Sequence, residues 1–153
     1  MKSNFKISIV FLFSVMLLSC ISNNSKGKDD YQLNEKITIT TYKEQLEKIE
    51  ILKKSMTEYM DFSDPSYTEK DIEKCESILT NFIQNIDKTS NREEGLKVVQ
   101  SVVFQLNELN KKCNFDLIET NEREQIVEII IEAGYLKGYN SLTEDVTEEW
   151  REW

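Results

Sequence analysis

Apolar residues return every three or four positions through four successive stretches of this chain, a period that selects amphipathic helix. The first row is Tyr42, Leu46, Ile49, Leu52, Met56 and Tyr59, and Ser63-Asp64-Pro65-Ser66 ends it, since proline disfavours helix in the residue before it. The second is Ile72, Cys75, Leu79, Phe82 and Ile86. The third is Leu96, Val99, Val103, Leu106 and Asn110, widened by Val98 and Val102. The fourth runs from Glu122 to about Ala133, where Ile126, Val127, Ile129, Ile130 and Ile131 are apolar on more than one face. Such a helix sits centrally in its bundle or faces a partner. Its β-branched run also suits a strand, but the polar stretch and cap before it favour helix.

Start signals accompany each row. Thr41-x-x-Glu44, Ser90-x-x-Glu93 and Asn121-x-x-Glu124 read as caps for the first, third and fourth helices. Thr68 with Asp71 caps the second, with Tyr67 and Ile72 placed as a hydrophobic staple. Ahead of the first helix, Lys36–Tyr42 alternates Ile37 and Ile39 with Lys and Thr. A lone strand has no partner here, so an extended lead-in across the bundle is expected. Gly134 to Thr143 reads as a loop. Val146, Trp150 and Trp153 then suit a short terminal helix, capped by Asp145-x-x-Glu148, that docks its two tryptophans. The expected fold is all-α: a four-helix bundle-like domain with a short C-terminal helix.

A different pattern precedes the domain. Lys2 and Lys6 form a positive segment ahead of an apolar run, Ile7–Leu18, too short to span a bilayer permanently but of signal-peptide length. It leads into Leu17-Leu18-Ser19-Cys20, which resembles the lipobox of bacterial lipoproteins. The resemblance covers residues 1–20. It implies cleavage by signal peptidase II between Ser19 and Cys20, with lipid (a diacylglyceryl thioether and usually an amide-linked chain such as palmitate) on Cys20. Two or three chains hold far more firmly than one. The expected division is a signal peptide at 1–19, a lipidated Cys and flexible tether at 20–35, and a helical domain at 36–153. Ile21 rather than Asp follows the Cys, so the inner-membrane retention signal of enteric bacteria is absent. The expected location is the bacterial cell envelope, at the outer membrane facing the periplasm. Surface display stays open, because Lys28-Asp29-Asp30 faintly resembles the acidic export tags of Bacteroidetes surface lipoproteins, although those lie closer to the Cys. From about Glu122 to Trp153 the chain resembles the ends of small uncharacterised bacterial proteins, which implies no activity.

Charge narrows the functions. The chain carries 19 basic and 28 acidic residues, net −9. Removing residues 1–19 takes away two lysines, leaving 17 against 28, or −11. An acidic domain is a poor nucleic-acid binder. There is no histidine, which excludes histidine-based triads, metal sites and pH switches. No Gly-rich phosphate loop, nucleophile elbow or CxxC is present.

Three constellations remain. Cys75 and Cys113 can pair in an oxidising compartment. If the second and third helices form a hairpin turning near residue 90, however, their registers differ by about 12 Å of helix rise. A disulfide tolerates a Cα separation of only about 7 Å. Two independent core cysteines are therefore favoured over a pair. Glu128 and Glu132, one helical turn apart, share a face, and Glu148, Glu149 and Glu152 crowd the tail. Solvated carboxylates are the default. The alternatives are an acidic surface that meets a basic partner, or paired carboxylates for acid–base chemistry. No alternating calcium loop is present, so neither metal nor cofactor is expected.

Small size, acidity, export and the lack of chemical motifs favour a non-enzymatic, lipid-anchored envelope protein that binds another protein, most concretely an immunity or inhibitor lipoprotein. The alternatives are a structural or assembly lipoprotein of an envelope complex and a small carboxylate-dependent cell-wall hydrolase. The expected partners are the membrane, through Cys20, and a protein, not nucleic acid.

Overall fold

The computed structural model describes Gln32, Lys36 and residues 38–153. The expected signal peptide, the Ser19–Cys20 border and all of the tether but Gln32 lie outside the described residues. The protein is all-α. Its helices are α1 (Lys43–Phe62), α2 (Glu69–Asp87), α3 (Arg92–Lys112) and α4 (Thr120–Leu136). They alternate in direction, so α1 and α3 run away from the end of the bundle where the described chain begins and α2 and α4 return to it. We call that end the proximal pole, marked by the bond from Thr38 Oγ1 to Asp87 Oδ2. The far end, with the α1–α2 and α3–α4 connections, is the distal pole.

The expected stripes form the core. Ile49, Leu52 and Met56 of α1 are buried, as are Ile72, Cys75, Leu79, Phe82 and Ile86 of α2, Val99, Val103 and Leu106 of α3, and Ile126, Ile129 and Ile130 of α4. Tyr59, at the end of the first row, is half exposed instead. The helix α2, not α4, occupies the middle of the bundle. It packs on α1 and α3 and touches α4, while α4 packs chiefly on α1. The Ile126–Ile131 run is helical, and no strand occurs among the described residues.

Four local expectations change. The lead-in is not extended: Lys36 and residues 38–41 are helical. Thr40 Oγ1 bonds the carbonyl of Lys36 at 2.9 Å and the Tyr42 N–H bonds that of Thr38 at 3.0 Å. Threonine suits such a turn because its hydroxyl can bond the preceding turn's carbonyl. Helical backbone before Thr41 also removes its role as a cap, and Tyr42 starts α1 with no side-chain cap. The third helix is capped one residue later than expected: Asn91 Oδ1 accepts the Glu94 N–H at 3.0 Å, and Glu94 Oε2 accepts the Ser90 N–H at 2.8 Å. The fourth starts two residues earlier and is capped by Glu119 with Glu122 rather than by Asn121 with Glu124. The Thr68–Asp71 box forms as expected.

Close approaches lock the proximal pole. Gly95, buried in α3, lies flat against the Tyr139 ring, where a Cβ would strike the ring. Gly134 meets Asn140 Oδ1 in the same way. Tyr139 is held by its hydroxyl to Thr89 at 3.0 Å and by its carbonyl to Arg92 Nε at 2.7 Å. The loop expected from Gly134 therefore begins only after Leu136.

The last residues do not form the expected short helix. They are a series of turns. Asp145 Oδ1 accepts both the N–H (2.9 Å) and the hydroxyl (2.6 Å) of Thr147, a local turn that competes with helix. Asp145 Oδ2 takes Arg151 at 2.7 Å, and the Arg151 guanidinium lies over the Trp153 ring. This strap runs along α3 from Arg92, paired with Glu144, to Asn107. Val146, Trp150 and Trp153 are partly buried against the core.

Candidate functional site

Glu128 and Glu132 face α1. The Lys48 Nζ sits 2.9 Å from Glu128 Oε1 and 2.5 Å from Glu132 Oε1, and Gln45 Nε2 donates to Glu132 Oε2 at 3.0 Å. Burial alone would lower the Lys48 pKa, but hydrogen bonds and charge from the two carboxylates outweigh it and raise it. The Glu132 side chain is 21% exposed, Glu128 56%. One ammonium thus binds both carboxylates into the α1–α4 seam, and the inner one is shielded from anything approaching from solvent.

Glu148, Glu149 and Glu152 lie differently. All three are exposed, and none enters an ion pair among the described residues. They stand on a strap whose path is fixed by Asn107. Its Nδ2 donates to the Trp150 carbonyl at 2.8 Å and its Oδ1 accepts the Glu152 N–H at 3.2 Å. Beside the strap lies a shallow groove of about 430 Å³, between Arg92, Leu96, Gln100 and Trp150. A second, of about 850 Å³, runs between α2 and α3 past Ile78, Phe104 and Lys112.

Cys75 and Cys113 are both buried free thiols. Burial pushes the Cys75 thiol up to about 12, and burial likewise raises Cys113. A thiol so shifted is protonated at neutral pH and is a poor nucleophile. Among the described residues no three or more Cys, Asp or Glu side chains converge as a metal site would require, and no helix is long and apolar enough to cross a membrane.

The distal pole holds what the sequence did not announce. Asn110, the one polar member of the α3 row, is 1% exposed. Its Oδ1 accepts the N–H groups of Leu117 (3.1 Å) and Ile118 (2.9 Å). Its carbonyl accepts the Phe115 N–H at 2.8 Å, and that of Lys111 the Asn114 N–H at 3.1 Å, the two bonds of a Schellman cap. Asn114 (φ 56°) and Phe115 (φ 64°) are both left-handed. The loop so shaped buries Leu117 and Ile118 and turns Phe115 outward, 54% exposed. Asp116 Oδ2 accepts the Ser66 N–H at 2.5 Å, tying this loop to the α1–α2 connection. A polar residue in an otherwise apolar row was the signal that could have found Asn110; Asn107, off that row, gave none.

Comparison of the chain with models of protein families, with curated proteins and with solved structures finds no match.

Proposed function

We propose that this is a lipid-anchored protein of the bacterial envelope that acts by binding another protein, in the manner of an immunity or inhibitor lipoprotein. Anchoring rests on Leu17-Leu18-Ser19-Cys20. Binding rests on one observation above all. Glu148, Glu149 and Glu152 stand exposed, outside the ion pairs of the described residues, on a strap held in place by the part-buried hydrogen bonds of Asn107. A fixed array of uncommitted carboxylates attracts a basic cleft and speeds encounter with it. The Glu128–Glu132 pair, engaged by Lys48, serves the fold more than a partner.

Two measurements test the proposal. Fatty-acid labelling of the full chain in a bacterial host should give an acylated, cleaved product, and Cys20→Ser an unlabelled precursor. An acylated, cleaved Ser variant would sink the anchor. For binding, the products of genes adjacent to this one are titrated against the full chain. A partner whose association slows with added salt, and slows again when Glu148, Glu149 and Glu152 become Lys, is expected. Tight binding indifferent to both salt and these charges would contradict the acidic surface.

A further inference from the structure

We propose that the distal pole, centred on Phe62 and Phe115, is a docking surface for a protein partner that presents a basic segment carrying an apolar anchor. The proposal rests on the reading of this chain as a binding protein and places the contact that would hold the partner.

Phe115 is the starting point. A bulky residue with positive φ is a backbone outlier. In the Schellman cap the left-handed position belongs to Asn114, which suits it. Phe115 continues left-handed with no glycine to ease it, and its ring is not repaid by burial. Neither the local backbone nor the core calls for phenylalanine here. Residues kept in costly conformations cluster at binding sites, and the inference runs from the outlier to the function.

Phe115 has company. Phe62, the last residue of α1, is 90% exposed, the most exposed large apolar side chain of the described residues. Tyr59 lies one turn before it, half exposed. The bond from Ser66 to Asp116 holds the two connections together, so both phenylalanines belong to one end of the bundle. Exposed aromatics on a braced frame are the usual anchors of protein interfaces.

Charge identifies the occupant. Residues 58–66 contain Glu58, Asp61 and Asp64 and no Lys or Arg. Residues 113–122 contain Asp116, Glu119 and Glu122 and again no Lys or Arg. Of the cations just outside, Lys54 pairs with Glu58 and Lys112 with Asp71, leaving Lys70, Lys111 and Arg123 against the other five carboxylates of the two segments. An apolar centre in an acidic rim selects a basic protein segment and repels the anionic surface of a membrane. The strap ends close by, since Asn107 is only about 8 Å of helix rise from the end of α3. Its carboxylates would then steer the same partner. The described chain begins at the opposite pole, beside Asp87. A chain tethered through Cys20 would therefore leave the distal pole free to face away from the membrane.

The test uses the full chain in nanodiscs of neutral phosphatidylcholine, with a phage-displayed library of random peptides as probe. Enriched peptides should carry Lys or Arg beside a Phe, Trp or Leu. Phe115→Gly and Phe62→Ala should each weaken them about tenfold. The urea midpoint of Phe115→Gly should equal or exceed that of the wild type, because glycine relieves the left-handed backbone. A lowered midpoint would show that the ring serves the fold and overturn the proposal. Peptides that ignore both phenylalanine variants but are lost when Glu148, Glu149 and Glu152 become Lys would overturn the pole and leave the binding-protein reading standing. No enrichment at all would count against both.

Discussion

The bundle and the strap are held by different forces. Between α1 and α4 the chain buries whole rows of Ile, Leu, Val and Phe, and the period of those rows is the period of the helix itself. From Lys137 onward apolar contacts are fewer, and single polar groups set the path: Asn107, Asp145, and Asn140, whose Nδ2 donates to the Ile131 carbonyl at 2.9 Å. A row tolerates small errors because neighbouring side chains share the contact. A polar pin does not, since removing it strands the groups it served. The bundle should therefore respond to lost volume, and the strap to lost hydrogen bonds.

The largest effect should come from the bundle. Phe82 of α2, 2% exposed, should lose about 3–5 kcal/mol as Phe82→Ala, read by urea denaturation. A loss below about 1 kcal/mol would mean that the rows are looser than their burial implies. The pins come next. Asn110→Ala strands the buried N–H groups of Leu117 and Ile118 and should cost about 2–4 kcal/mol. Asn107→Ala should cost about 1–2 kcal/mol, because solvent can reach the groups it frees. Hydrogen exchange sharpens the contrast: the Asn107 variant should expose amides of the strap alone, and Phe82→Ala should lower protection throughout the bundle. Uniform loss in both would erase the distinction between the two regions.

The smallest effect is one of pH. The Lys112 ammonium bonded to Asp71, and then the Thr68 hydroxyl, hold the Asp71 carboxyl below its ordinary value despite its burial. A carboxyl with a depressed folded pKa contributes stability that is complete above its unfolded value, about 4, and is lost as pH falls through the folded one. Stability should thus decline below about pH 4, and Asp71→Asn should flatten part of that decline. An unchanged acid limb in that variant would show that the pair with exposed Lys112 adds nothing.

The same contrast explains what could be read in the sequence. Helical rows are local, so their positions, burial and end at Pro65 were legible. Caps were legible as a class, but only that of Thr68 with Asp71 was in frame. Ser90-x-x-Glu93 and Asn91-x-x-Glu94 are equally good on paper, and the packing of α3 decides between them. The strap read as helix because Val146, Trp150 and Trp153 keep the helical interval, yet Asp145 satisfies Thr147 locally and Asn107 draws the chain out along α3. Glu128 and Glu132 were correctly placed on one face, but nothing local to them indicated Lys48. At the distal pole, the left-handed Phe115 had no signature beyond an aromatic just past a helix end.

The Lys48 clamp has a consequence in time. It joins residues 80 and 84 apart in the chain, and Gln45 reaches Glu132 across 87. The α1–α2 and α2–α3 hairpins close over short connections and need not wait for it. Long-range closure costs more chain entropy, so the α1–α4 seam should form after the main folding barrier has been crossed. Weakening a contact that is absent from the transition state changes the rate of unfolding and spares the rate of folding. Lys48→Met should therefore leave the folding limb of a chevron plot in place and speed unfolding about fivefold for each 1 kcal/mol lost. The seam that completes the bundle would then be the first to open.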